Sequence, residues 1–313
     1  MEAYVHGAST RNVDGLVKAL GGDSGISISE VSRICHGLDE HVKEFRERTL
    51  SHASFPYLFP DATYCKVRVG AHVVSRAVVV AIGVTMDGTR EVLGTSVGDS
   101  ESYEYWNEFL ASLRERGISG VHLVISDAHK AAISRQFTGA AWQRCRVHFM
   151  RNIGAKVSAK NIPPVMAAIT TIFAHTEKDD VAAQWDSVAD MLENQFPKVA
   201  AMMRGAKPDV LAFADFPKAH WQKIWSNNPI ERLNKEIKRC ADVVETFPND
   251  AAFLWLATAV VIDQHDEWQV GRRYLSEVSM TELRNLSREL SPAGVTRLSF
   301  QPPQRPENPR PAD

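Results

Sequence analysis

The chain has 313 residues, 44% of them hydrophobic and 24% charged, with a formal net charge of −2. These are the proportions of a soluble globular protein with room for more than one domain, and they exclude an overall basic field that would by itself announce a nucleic-acid binder. No signal peptide or 18-residue apolar run points to export or a membrane. The four scattered cysteines (Cys35, Cys65, Cys145, Cys240) have no framework spacing and fit reduced thiols in a cytoplasmic protein.

Residues 1–50 read as a small helical segment. Thr10 caps a first helix, Gly21 to Gly25 make a turn, and Ser27-Ile28-Ser29-Glu30 is a capping box opening a second helix. This is a possible partial helix-turn-helix with Ser32 and Arg33 facing a groove, or equally a packing module, since the segment is net acidic. Residues 55–148 read as α/β. A strand opens around Asp61, with Pro60 at its edge, and Val73 to Val84 is a long buried strand. Met86-Asp87-Gly88-Thr89 turns into a third strand, Glu91 to Val97. Ser102 caps an amphipathic helix to Arg116, a short apolar strand ends at Asp127, and Trp142 to Arg146 reads as a fifth strand.

Residues 149–225 carry helical spacing only, over Ile162–Ala174, Val181–Phe196 and Pro208–Phe213. They are too long for a loop and read as a large helical insertion. Residues 226–290 hold a basic helix and closing helices, including the apolar Ala251–Ile262. Residues 291–313, with six prolines in 23 residues, read as a disordered tail.

The run from Trp225 to Arg239 is the most informative. Asn228 reads as the N-cap, Pro229 as the first helical residue and Glu231 as the third. Ile230, Leu233 and Ile237 make an apolar face, while Glu231, Lys235 and Lys238 share another and Glu236 points elsewhere. A carboxylate there can ligate a metal while Arg232, Lys235, Lys238 and Arg239 reach a phosphate backbone. Taken alone, the run also reads as a capping-box Glu followed by solvated lysines. From Ala141 to Ala241 there are 15 Lys plus Arg against 10 Asp plus Glu, so the basic excess gathers around this helix.

Two further acids stand at strand positions: Asp61, and Asp127 at a strand-to-helix junction, where ligands collect in open α/β sheets and where an N-cap is also common. They lie 66 residues apart, and Glu231 follows 104 residues later. A parallel pairing of the two strands would bring the aspartates together. Three carboxylates could then hold two Mg²⁺ (or Mn²⁺) ions, one activating a nucleophile and one stabilising a leaving oxygen.

In order, Ser9-Thr10-Arg11-Asn12-Val13, Asp61 to Arg68, Gly83-Val84, Ser102 to Trp106, Ser126 to Lys130, Gln143 to His148 and the Trp225–Arg239 run resemble the mutator-type transposases of bacterial insertion sequences. The resemblance spans roughly residues 8–280. It implies a ribonuclease-H-like mixed five-stranded sheet and an Asp-Asp-Glu triad at Asp61, Asp127 and Glu231. It further implies metal-dependent cleavage of transposon terminal inverted repeats, joining of the freed 3′-hydroxyl to target DNA, and a homo-oligomer on DNA. Family members carry a longer N-terminal DNA-binding region, so this chain reads as truncated. The alternatives are a metal nuclease without strand transfer and an inactive DNA-binding remnant.

Cys145-x-x-His148 has zinc-ligand spacing but no second pair. It reads rather as a buried Cys with a supporting His, or with His148 touching DNA or orienting a carboxylate. Trp221 and Trp225 read as core, with stacking on unpaired bases the alternative. The acids and His from Asp263 to Glu267 read as a solvated helix face.

Overall fold

The computed structural model describes residues 39–99, 102–244 and 246–290. Ser32, Arg33, most of the proposed helix-turn-helix and the proline-rich tail lie outside the described residues. A helix over residues 39–47 is the first element among the described residues, and it buries Val42 and Phe45 one turn apart.

The framework is a mixed five-stranded sheet in the order β3-β2-β1-β4-β5. The strands are β1 (Tyr57–Val69), β2 (His72–Val84), β3 (Arg90–Gly98), β4 (Leu123–Ser126) and β5 (Ala141–Arg144). The first three form an antiparallel meander, and β1, β4 and β5 run parallel. From Ala77 to Val84 every residue of β2 is buried, which is why the strand reads as a continuous apolar run rather than an alternating one. The β2–β3 turn needs its glycine. Gly88 has φ +87, and a Cβ there would stand 2.1 Å from the Leu275 carbonyl oxygen.

Alternation sends Tyr57, Phe59, Leu123 and Ile125 to one face and Leu58 and Val124 to the other. The helices Tyr103–Glu115 and Lys130–Gln136 cover the second face. Ser102 caps the former, accepting a hydrogen bond from the Tyr105 N–H. The first face is covered by helices from the rest of the chain. Ile230, Leu233 and Ile237 of the Asn228–Val244 helix are fully buried there, each contributing about 2 kcal/mol of apolar transfer. Phe149, Trp185 and Val210 join the same core, so the helices between β5 and Glu231 pack continuously with the sheet.

Several boundaries differ from the sequence reading. β5 stops at Arg144 and Arg146 already begins a helix. After the Cys145 N–H bonds Ser126, the Arg146 N–H turns away to the Trp225 carbonyl. Pro208 does not open a helix; it lies in the last turn of Pro197–Val210. The apolar helix near Ala251 runs from Asp250 to Val270. Pro60 sits inside β1, where β4 pairs only with Tyr57 and Leu58 and so leaves that edge open.

Candidate active site

β1 and β4 pair in parallel with Tyr57 opposite Leu123 and Leu58 opposite Val124. That offset of 66 is also the separation of Asp61 from Asp127, so the register, continued, sets the two aspartates level. Both share the parity of Tyr57, Phe59, Leu123 and Ile125, which places them on the face covered by the Asn228–Val244 helix.

That helix carries Glu231 in its first turn. Asn234, one turn beyond Glu231, donates from Nδ2 to Asp61 Oδ2 at 2.8 Å. Asp61 keeps partial surface access, yet burial pushes its pKa up to about 6. The backbone N–H of Ala62 and the charge of His148 oppose the rise, while the negative charges of Asp127 and Glu231 add to it. Asp61 therefore feels both other acids across 66 and 170 residues of sequence. Asp127 Oδ1 is buried without a hydrogen-bond partner. Among the described residues, no three His, Cys, Asp or Glu side chains stand close enough to form a ready-made metal cage. Even so, an orphaned buried carboxylate oxygen and a repelled, buried neighbour are the donor set that suits a hard divalent cation.

The Cys-x-x-His pair ties this site together. Cys145 is fully buried, and its Sγ accepts the Asn227 N–H at 3.4 Å. The Asn227 carbonyl in turn accepts from Ile230 and Glu231, so Asn227 occupies the capping position. The helix thus starts one residue earlier than the sequence suggested, with Asn228 inside it. His148 is raised to about 8, first by its hydrogen bond to Cys145 and further by the charges of Asp127 and Asp61; desolvation opposes the shift. Its Nδ1 is buried without a partner. After Asp127 the chain turns through His129, the one non-glycine with positive φ (66) among the described residues, whose ring stacks on Trp106 at 4.5 Å. Trp142 Nε1 donates to Ser126 Oγ, which donates to the Ala128 carbonyl, bracing the turn.

Residues 1–271 match the family described as Transposase, Mutator family. The chain belongs to the mutator family of transposases. It is 43% identical over 284 residues to the transposase for insertion sequence element IS1081 of Mycobacterium tuberculosis, covering 90% of this chain and 68% of that one. It is 38% identical over 282 residues to the transposase for IS256 in transposon Tn4001 of Staphylococcus aureus, covering 88% and 72%. To the ISRM5 transposase of Rhizobium meliloti the identity is 35% over 289 residues, covering 91% and 72%.

In this mutator-family chain the four basic residues after Glu231 divide between two faces. Lys235 and Lys238 are exposed on the side shared with Glu231. Arg232 and Arg239, also exposed, border a groove of about 220 Å³ against Asp263 and Glu267 of the Asp250–Val270 helix, and Arg239 pairs with Glu236 at 2.9 Å. Those acids thus face a groove as well as water. Trp225 is half-buried against Phe173 and Phe213, with the Arg146 guanidinium 4.2 Å above its ring. Trp221 is buried and donates to the Phe216 carbonyl. Both pack against aromatic neighbours in the core.

Sequence reasoning missed Asn234, Asn227 and Gln143. Asn234 was findable from its spacing of three from Glu231 on the same helix. Fully buried Gln143 donates to the Arg144 and Val210 carbonyls and accepts the Phe213 N–H, anchoring the helical insertion to β5; nothing local marks it. No helix among the described residues is long and apolar enough to cross a membrane.

Proposed function

We propose that this chain is a DNA transposase with a ribonuclease-H-like catalytic domain. In this reading Asp61, Asp127 and Glu231 hold two Mg²⁺ (or Mn²⁺) ions, cleave a transposon end and join the freed 3′-hydroxyl to target DNA. The observation that carries the reading is the bond from Asn234, one turn after Glu231, to Asp61, on a strand parallel to the one that ends before Asp127, in a member of this family. The element order and the β3-β2-β1-β4-β5 arrangement support the fold assignment.

When bound, the ions supply charge neutralisation at the phosphate and at the attacking and leaving oxygens. The chain's own residues position the reaction. Asn234 holds one oxygen of Asp61 and leaves the other to point at the site. Cys145 and the Trp225 carbonyl fix the start of the Glu231 helix, so Glu231 approaches on a rigid support. His148 contributes positive charge beside the aspartates. Lys235 and Lys238 neutralise phosphates of the bound strand. Water attacks the end phosphodiester, and the released 3′-hydroxyl attacks a target phosphodiester. No side-chain nucleophile is needed, and catalysis rests on orientation and preorganised charge.

The test is a product assay with an end oligonucleotide and a plasmid target in Mg²⁺. Joined products abolished by Asp127→Ala are expected. Cleavage without joining would make the protein a nuclease, and no cleavage by the unaltered chain would leave a DNA-binding remnant.

A further inference from the structure

β1 and β2 outrun the rest of their sheet. β4 pairs with β1 only at Tyr57 and Leu58, and β3 follows β2 only from Val84 back to Ala77. Beyond those points the two strands continue as a two-stranded ribbon, pairing down to Val69 opposite His72 and turning at Gly70, whose φ is +61. No Asp or Glu occurs between Asp61 and Asp87, while Lys66, Arg68, His72 and Arg76 all fall on the ribbon.

The ribbon is held from one side. The Arg68 N–H donates to the Phe247 carbonyl at 2.8 Å, and the Phe247 N–H to the Lys66 carbonyl at 3.0 Å. Val67 is buried, Phe247 packs on Phe253 at 4.9 Å, and Arg76 pairs with Asp250 at 3.3 Å. The opposite face carries the cross-strand pairs Lys66–Ser75 and Arg68–Val73, all four exposed. Lys66 and Arg68 form no ion pair among the described residues. The strand pair thus presents uncompensated positive charge on this face, while on the other face Arg76 pairs with Asp250 and Asp242 acts on Cys65.

We propose that this exposed face is a DNA-binding arm that grips the backbone of bound duplex outside the Asp61 site; the proposal rests on the DNA reading above. A two-stranded ribbon has the width that a major groove admits. Lys66 and Arg68 lie five and seven residues beyond Asp61 on the same strand. Their parity is opposite to that of Asp61, so they stand on the other side of β1.

The test uses the full chain with a photo-crosslinking amino acid at Val73 and a mixed-sequence duplex without Mg²⁺, alongside the variant Lys66→Ala/Arg68→Ala. Expected are a protein–DNA crosslink and, in the variant, a salt dependence of binding shallower by about 1.8 in the log–log slope, since each lost phosphate contact removes about 0.9 counterion. An unchanged slope, or crosslinks only between protein copies while the unaltered chain binds DNA, overturns the arm. Crosslinking in the unaltered background keeps the test decisive if the double variant misfolds. The arm's failure is separable from that of the enzymatic reading: Asp127→Ala must still crosslink, and a chain that crosslinks but never cleaves sinks only the activity. A chain that binds no DNA at all overturns both.

Discussion

Asn234 Nδ2 donates to Asp61 Oδ2 at 2.8 Å, joining the Glu231 helix to the strand that carries the first acid, 173 residues earlier in the chain. The bond sets which Asp61 oxygen faces the site. Asn234→Ala should lower Mg²⁺-dependent strand cleavage about 10–100-fold, the usual cost of losing a partner that orients a ligand. Asn234→Asp should be worse, because it adds a fourth negative charge beside the other three. Equal activity of the unaltered and Asn234→Ala proteins in a single-turnover assay would dismiss the positioning role.

Asp61 costs the folded protein stability. Its folded pKa of about 6 lies above the unfolded 3.8, so the folded state binds the extra proton between those values. Stability falls as pH rises through that window and stays lost above it. Asp61→Asn keeps an acceptor for Asn234 and removes the charge, so at pH 7.5 without divalent ions it should stabilise by on the order of 3 kcal/mol. Adding Mg²⁺ should raise the melting temperature of the unaltered chain and leave Asp61→Asn/Asp127→Asn unmoved. Thermal melts with and without Mg²⁺ check both parts.

His220 should make the protein acid-sensitive. It is fully buried, and Nδ1 meets the Tyr57 hydroxyl at 2.6 Å. Desolvation, with a smaller push from Lys223, lowers its pKa to about 4. Between about 6.5 and 4 the unfolded chain takes up a proton that the folded one refuses. The stability is therefore present above 6.5 and lost as pH falls, by on the order of 3 kcal/mol. In Tyr57→Phe/His220→Phe this share of the loss should disappear, so denaturant midpoints at pH 7 and pH 5 should lie closer together than in the unaltered protein.

The two faces of the Glu231 helix should behave differently toward DNA. Lys235→Ala/Lys238→Ala should flatten the salt dependence of binding by about 1.8 in slope and weaken all sequences alike. Arg239→Ala should change it little, because Arg239 is already paired with Glu236. Anisotropy titrations over a salt series distinguish them. An Arg239 effect as large as that of the lysines would mean that the Glu236 pair opens on DNA.

Local chemistry was enough for much of this molecule. The valine run of β2, the Ser102 cap, the Asp87-Gly88 turn and the Ile230–Leu233–Ile237 face all follow from residue type and period, because each feature is satisfied by neighbours within a few residues. Pro208 misled because a proline in a last helical turn loses little, so it marks an end as readily as a beginning. The three acids were legible as candidates, but no local rule joins residues 66 and 104 apart. Which face each of them takes depended on strand register, helix docking and side-chain parity. So did the roles of Asn227, Gln143 and Cys145, whose partners lie 67 to 82 residues away. Which of the basic residues after Glu231 border a groove was decided by the Asp250–Val270 helix packing alongside. Residue pattern alone determined the elements and their buried faces, since propensity and hydrophobic period act over a few residues. Tertiary structure alone decided which charges confront one another, since electrostatic and hydrogen-bonding partners are set by distance in space rather than along the chain.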